Sequence, residues 1–162
     1  MKESISGTTL FMIVIFFIIV FTGYLCFSIN QSRAFSVKNG IIRIVERYGI
    51  GIKSPDGVKK LEQNSNFTTA IENELKDIGY RTTGKCNSSG DTDWYAFNVK
   101  GKYENSGVGA FCIKFIGNAS VSNQNPAKNL HYFSIKTFYH FDIPGVSRLL
   151  NMTIEGNTKS MQ

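Results

Sequence analysis

The chain has few of the side chains from which catalytic and metal centres are built. Its 162 residues include only two histidines and three cysteines. His131 and His140 lie in one predicted strand at an odd spacing, which sends them to opposite faces of a regular sheet. No Ser/His/Asp or Cys/His constellation follows from that placement. The cysteines have no histidine at ligand spacing, so a zinc site is excluded as a leading reading. Asp91-Thr92-Asp93 begins like a calcium loop, but the later ligands are missing and the stretch reads as a turn. A glycine-rich phosphate loop, a convincing carboxylate pair, an internal repeat and a low-complexity tract are also absent. These absences lead to the expectation of a non-enzymatic protein with no cofactor and no metal.

Charge is scarce as well, at 19% of residues against roughly 25% in ordinary soluble chains. Much of the shortage lies in residues 10–27, LFMIVIFFIIVFTGYLCF, which carry no charged side chain. As a helix this run spans about 27 Å, close to the thickness of a bilayer's hydrocarbon core. In lipid, a helix satisfies its backbone N–H and C=O groups within one segment. The competing reading is a cleaved secretory signal, with Ser32-Arg33-Ala34 as a small-x-small site. Signal cores run only about 7–15 apolar residues, so the length favours an anchor. The chain therefore divides into a short tail and transmembrane helix, residues 1–32, and a domain, residues 33–162.

Arg33, Lys38, Arg43 and Arg47 follow the span, and counting them alone would hold the domain in the cytoplasm. The cysteine pair, the very short leading tail and the length of the domain favour export, so the expected location is the cell membrane with the C-terminal domain extracytoplasmic. Cys26 falls inside the apolar span and reads as a small apolar side chain there. Cys86 and Cys112 are a hairpin-sized stretch apart and form a candidate disulfide worth about 3 kcal/mol, with two buried thiols as the alternative.

The apolar run does not end at a helix breaker. Val37, Ile41, Ile44, Val45 and Tyr48 continue along one helical face, while Arg33, Lys38, Arg43, Glu46 and Arg47 fall mostly on the other. One helix of roughly 40 residues is predicted, stopping at Gly49 and Gly51, with Val37, Ile41, Ile44 and Tyr48 seating it on the domain. Ser54-Pro55-Asp56 signals a short helix to about residue 63. A second helix, from about Asn66, carries an Ile71, Leu75 and Ile78 stripe and a Gly79 cap.

From Tyr80 the period becomes two. Tyr95, Phe97 and Val99 share one predicted face. Phe111, Ile113 and Phe115 oppose Ala110, Cys112, Lys114 and Ile116 in a second strand. A long strand over 131–143 places Phe133, Ile135, Tyr139, Phe141 and Ile143 opposite Ser134, Lys136, His140 and Asp142. A turn of helix at 146–150 and a last strand over 152–159 complete the chain, with loops at 87–90 and 118–129. The predicted fold is α+β: a long N-terminal helix, then an antiparallel sheet of about four strands with one buried face.

The net charge of +6 suits an anionic partner, and Lys100, Lys102, Lys114 and Lys136 alternate with aromatics as single-strand nucleic-acid surfaces do. Lysines on the solvent face of an amphipathic sheet explain the same pattern more commonly, so no nucleic-acid partner is expected. Asn30, Asn66, Asn87, Asn118 and Asn151 each begin an N-x-[ST] triplet, which leaves open a type II membrane glycoprotein with a binding role. An exported ligand-binding domain is a further alternative.

A polar leader, a charge-free span continuing as an amphipathic helix, and a terminal antiparallel sheet together resemble the type IV pilin group. The likeness is greatest to the TadE-like minor pilins (pseudopilins) of tight-adherence systems. It rests on residues 10–48 and on two terminal stretches, Phe141-Asp142-Ile143-Pro144 and Ile154-Glu155-Gly156-Asn157-Thr158-Lys159. The resemblance implies a non-enzymatic component of a pilus or secretion assembly. Its partners would be membrane lipid, other pilin-like subunits and assembly proteins. Pilins of this group are cut after a glycine and carry a glutamate five residues on. Gly7 is present here, but Met12 occupies the later position, which fits an uncleaved accessory subunit.

Overall fold

A single α-helix, α1 (Lys2–Tyr48), runs for 47 residues through the point where apolar sequence becomes amphipathic. The computed structural model describes residues 2–87, 93–117, 131–140 and 151–161. Between Tyr24 and Asn39 there is neither proline nor glycine, so the helical ladder crosses the polar patch at 28–33 without interruption. The helix begins ahead of the apolar run rather than with it. It stops where predicted: the Gly49 N–H closes on the Val45 carbonyl at 2.7 Å, and Gly51 takes a φ of 124°.

The segment Pro55–Gln63 is a 3-10 helix, and Ser54 makes no side-chain capping bond to it. Its role is to bury Val58 and Leu61. Helix α2 (Ser65–Ile78) starts one residue before the predicted Asn66, because the cap is Asn64. The Asn64 side-chain oxygen accepts from the Asn66 and Phe67 N–H groups at 3.0 and 3.3 Å. Gly79 ends α2 in the left-handed conformation, with the Tyr80 N–H returning to the Leu75 carbonyl at 2.9 Å. Phe67, Ile71 and Leu75 are the buried stripe, and Ile78 packs at its margin.

The main sheet has five strands rather than about four, all antiparallel, in the order β3-β2-β5-β6-β7. These are β2 (Trp94–Phe97), β3 (Tyr103–Glu104), β5 (Phe111–Gly117), β6 (His131–His140) and β7 (Asn151–Asn157). A separate two-stranded ribbon pairs β1 (Gly84–Lys85) with β4 (Val108–Gly109). Strands of two residues are too short to show a period, so sequence alone could not count them. The described architecture is α+β, a long apolar N-terminal helix followed by antiparallel sheets.

Three details depart from simple alternation. Strand β2 ends at Phe97 because the Asn98 side chain accepts from the Lys100 and Lys102 N–H groups at 2.9 and 3.1 Å and turns the chain. Val99 thereby leaves the face it was predicted to share with Tyr95 and Phe97. Ala110 joins the main core instead of the Cys112 face. Its N–H donates to the Phe97 carbonyl at 2.7 Å while Phe111 is the ladder partner of Phe97, so two residues oppose one in a β-bulge. Finally, the sheet buries both faces. Cys86, Trp94, Ala96, Cys112 and Phe138 form a smaller cluster behind the main core.

The last strand, expected over 152–159, runs Asn151–Asn157. Thr158 prolongs its attachment, accepting from the Phe133 N–H at 2.9 Å through its hydroxyl. The expectations for residues 88–92, 118–130 and 141–150, including Phe141, Asp142, Ile143 and Pro144, lie outside the described residues.

Candidate functional site

Helix α1 has two halves with opposite surroundings. Over residues 10–25 its large apolar side chains face outward on every side of the helix, with Phe17 66% and Phe21 64% exposed. The most apolar part of this stretch is not covered by the rest of the described chain. Within this stretch the Thr22 hydroxyl is satisfied inside the helix, donating to the Ile18 carbonyl at 2.8 Å. By length and composition this is one helix, near the N-terminus, able to cross a membrane.

The second half buries a stripe. Ala34, Val37, Ile41 and Val45 are each at most 1% exposed, at spacings of three, four and four residues. Of the four predicted packing residues, Val37 and Ile41 are fully buried, whereas Ile44 and Tyr48 are partly buried at the edge of the core. Tyr48 meets Phe67 of α2 edge-on, with ring centroids 6.3 Å apart, so it helps to seat α1 on α2. Ala34 and Val45 replace Ile44 and Tyr48 in the buried stripe. An i, i+4 step from Ile41 would have selected Val45.

Two glycines allow the helix to come close. A Cβ on Gly156 of β7 would stand 2.9 Å from the Lys38 side chain and 3.1 Å from that of Ile42. A Cβ on Gly40 would run into Glu74 of α2. Polar contacts lie at the rim. Glu46 Oε1 accepts from the Lys159 N–H at 2.8 Å, and Arg43 lies 3.7 Å from Glu74.

On the opposite face of the sheet, Cys86 and Cys112 are joined by a disulfide. Beside it Lys136 Nζ sits 4.1 Å from the centroid of the Trp94 ring and 3.1 Å from Glu155. Lys114 pairs with Asp93 at 3.8 Å and also faces Trp94. Lys100 and Lys102 lie apart from them, in the turn after β2. The four lysines thus form no common surface, and Lys136 is a buried partner of Trp94 rather than a solvent-face residue. The third cysteine, Cys26, is free and exposed on α1.

Among the described residues no group of three or more His, Cys, Asp or Glu side chains is placed to hold a metal ion. Phe67, Phe97, Phe111 and Phe133 are fully buried and fill the core. Among the described residues one titratable group is strongly perturbed: burial pushes the Tyr80 hydroxyl from 10.0 up to about 12, opposed in part by its hydrogen bond to the Phe138 backbone. That hydroxyl lies inside the packed domain, so its shift is a feature of structure. What the arrangement offers is two surfaces for packing, one apolar and helical, one on the folded domain.

The fold and its exposed helix define an α+β protein with one segment capable of spanning a bilayer. No protein-family model, no curated protein and no solved structure matches the chain.

Proposed function

We propose that the protein is a non-enzymatic, single-pass membrane protein of pilin-like design, acting as an accessory component of a type IV or tight-adherence assembly. The observation that carries this reading is the continuity of α1. One rod exposes apolar side chains on all sides over residues 10–25 and buries a stripe in the sheet domain from Ala34 to Val45. Such a helix couples a domain rigidly to the bilayer. It also presents a lateral surface for other helices of the same kind, through which subunits would pack. The Cys86–Cys112 disulfide supports an oxidising, extracytoplasmic setting for the domain, since such bonds are rare in reducing compartments. The partners in this reading are membrane lipid, like subunits and assembly proteins.

The test uses the chain's own thiol. Cys26 lies on the exposed part of α1, so mild oxidation of membranes containing the full chain should yield a Cys26-dependent crosslinked species, absent after Cys26→Ser. Single cysteines moved to positions 14, 19 and 20, which point to three different sides of the helix, in the Cys26→Ser background should crosslink preferentially on one face. A uniformly monomeric result at all four positions would contradict lateral packing. A mobility shift on glycosidase treatment would instead support the membrane-glycoprotein reading.

A further inference from the structure

A pocket of about 280 Å³ lies where α1 leaves the domain, walled by residues 30–34 of the helix, by the turn that ends α2, and by Tyr139 of β6. Asn30, Arg33, Arg81 and Thr82 contribute its polar lining, and among the described residues no acidic side chain borders it. Arg33 and Arg81 are both exposed, and among the described residues neither is engaged in an ion pair. Two arginines bordering one pocket give it a positive lining, and the planar guanidinium fork suits phosphate oxygens.

The height of the pocket on α1 indicates which phosphate. Phe27, the last residue of the apolar run, stacks obliquely on Tyr139 with centroids 6.3 Å apart, so the underside of the domain meets the helix where the apolar span ends. Asn30 and Arg33 lie three and six residues further, about 5 and 9 Å along the axis. The headgroup layer of a bilayer extends about 5–8 Å beyond each edge of the hydrocarbon core. A helix whose apolar run fills that core therefore carries the pocket into the plane of the lipid phosphates. Tyr139 beside it is of the residue type that settles at this boundary.

We propose that this juxtamembrane pocket binds the phosphate group of an anionic phospholipid, held between Arg33 and Arg81 with Asn30 and Thr82 as neutral partners. Bound there, a lipid would fix the depth and tilt of α1 and tie the α2 end of the domain to the bilayer. The site rests on the membrane-anchored reading given above.

The test reconstitutes the full chain in nanodiscs of phosphatidylcholine with a minor fraction of phosphatidylglycerol and counts the lipids retained on the protein by native mass spectrometry. Each surface arginine contributes roughly a fivefold preference for an anionic lipid, so two should enrich phosphatidylglycerol roughly 30-fold over its bulk share. Arg33→Gln with Arg81→Gln should return retention to the bulk ratio without altering the far-ultraviolet circular dichroism. Arg47→Gln with Lys53→Gln, which removes the same charge from exposed positions elsewhere, should leave the enrichment intact. Equal enrichment in both double variants, or none in the parent chain, overturns the headgroup site while leaving the anchor standing. Loss of the retained lipid on adding inorganic phosphate reassigns the pocket to a soluble anion and overturns the lipid assignment. A chain that alkaline carbonate strips from membranes overturns the anchor itself, and the site with it.

Discussion

The Tyr80 hydroxyl takes the place of a missing strand opposite Phe138. It donates to the Phe138 carbonyl at 2.6 Å and accepts from the Phe138 N–H at 2.9 Å. The reason lies one strand away. The β5–β6 ladder ends at the pair Phe111 and Thr137, because the bulge at Ala110 turns the chain toward Phe97. Phe138 would otherwise present an N–H and a C=O to a buried gap, each costing about 1–3 kcal/mol unpaired. A side chain from the turn after α2 satisfies both and so ties the helical layer to the middle of the sheet.

Tyr80→Phe should therefore lower stability by about 1–3 kcal/mol at neutral pH, measured by urea unfolding of the chain in detergent. Its effect on the pH profile should be of opposite sign. The folded state holds the Tyr80 proton up to about pH 12, and an unfolded tyrosine releases it near 10.0. The stabilisation is thus complete below pH 10 and is lost as pH rises toward 12, a change of about 3 kcal/mol. The parent should lose more stability than Tyr80→Phe over that interval. Parallel profiles for the two chains would dismiss the buried hydroxyl as the cause.

Opening the Cys86–Cys112 link should cost about 3 kcal/mol, the chain entropy of a loop with a sequence separation of 26. Urea midpoints with and without reductant measure it, and Cys86→Ser with Cys112→Ser should match the reduced parent. The cluster around the bond, Trp94, Ala96 and Phe138, should loosen with it, seen as a red-shifted emission from the only tryptophan. An unchanged midpoint would assign the bond no stabilising role.

Neighbouring residues on α1 separate the buried stripe from its edge. Ile41→Ala and Val45→Ala remove fully buried side chains and should cost about 2–5 and about 1–3 kcal/mol. Ile44→Ala, at a partly buried position, should cost less than either. The comparison is of unfolding midpoints in one detergent. An Ile44 variant weaker than Val45→Ala would place the helix in a different rotation against the sheet.

The helical rod was legible because it is long and its pattern repeats. Eighteen uncharged residues followed by Val37, Ile41 and Tyr48 leave few alternatives to one membrane-length helix running into a packed one. The alternation in 111–115 and 133–139 placed the long strands and their inward faces for the same reason. What escaped were features set by tertiary contact. Strand β3 pairs with β2 and is held on its other side by Glu62 of the 3-10 segment, which accepts the Tyr103 N–H at 3.0 Å across 41 residues of sequence. The Ala110 bulge has no periodic signal, and the pairing of Arg33 with Arg81 around one pocket depends on where α2 ends relative to α1. The choice of Ile44 and Tyr48 over Val45 reflects a stripe that drifts around the helix as 3.6 residues per turn accumulates.

Continuity across residues 28–33 is the property on which the two halves of α1 depend, and it can be measured directly. Spin labels at Val20 and Arg47, both exposed, are separated by about 40 Å if every residue between them rises 1.5 Å. Pulsed electron resonance on the chain in nanodiscs should give one narrow distance distribution near that value, insensitive to temperature. Gln31→Pro removes a ladder hydrogen bond and sets the proline ring against the carbonyl of Phe27, so it should kink or break the rod. The variant's distribution should shorten and broaden, while its domain keeps the Ala34 to Val45 stripe and melts near the parent temperature. A broad distribution already present in the parent would mean that the bilayer segment and the domain move as separate bodies. The domain would then hang from a tether, and the lateral packing of rods would lose its structural basis.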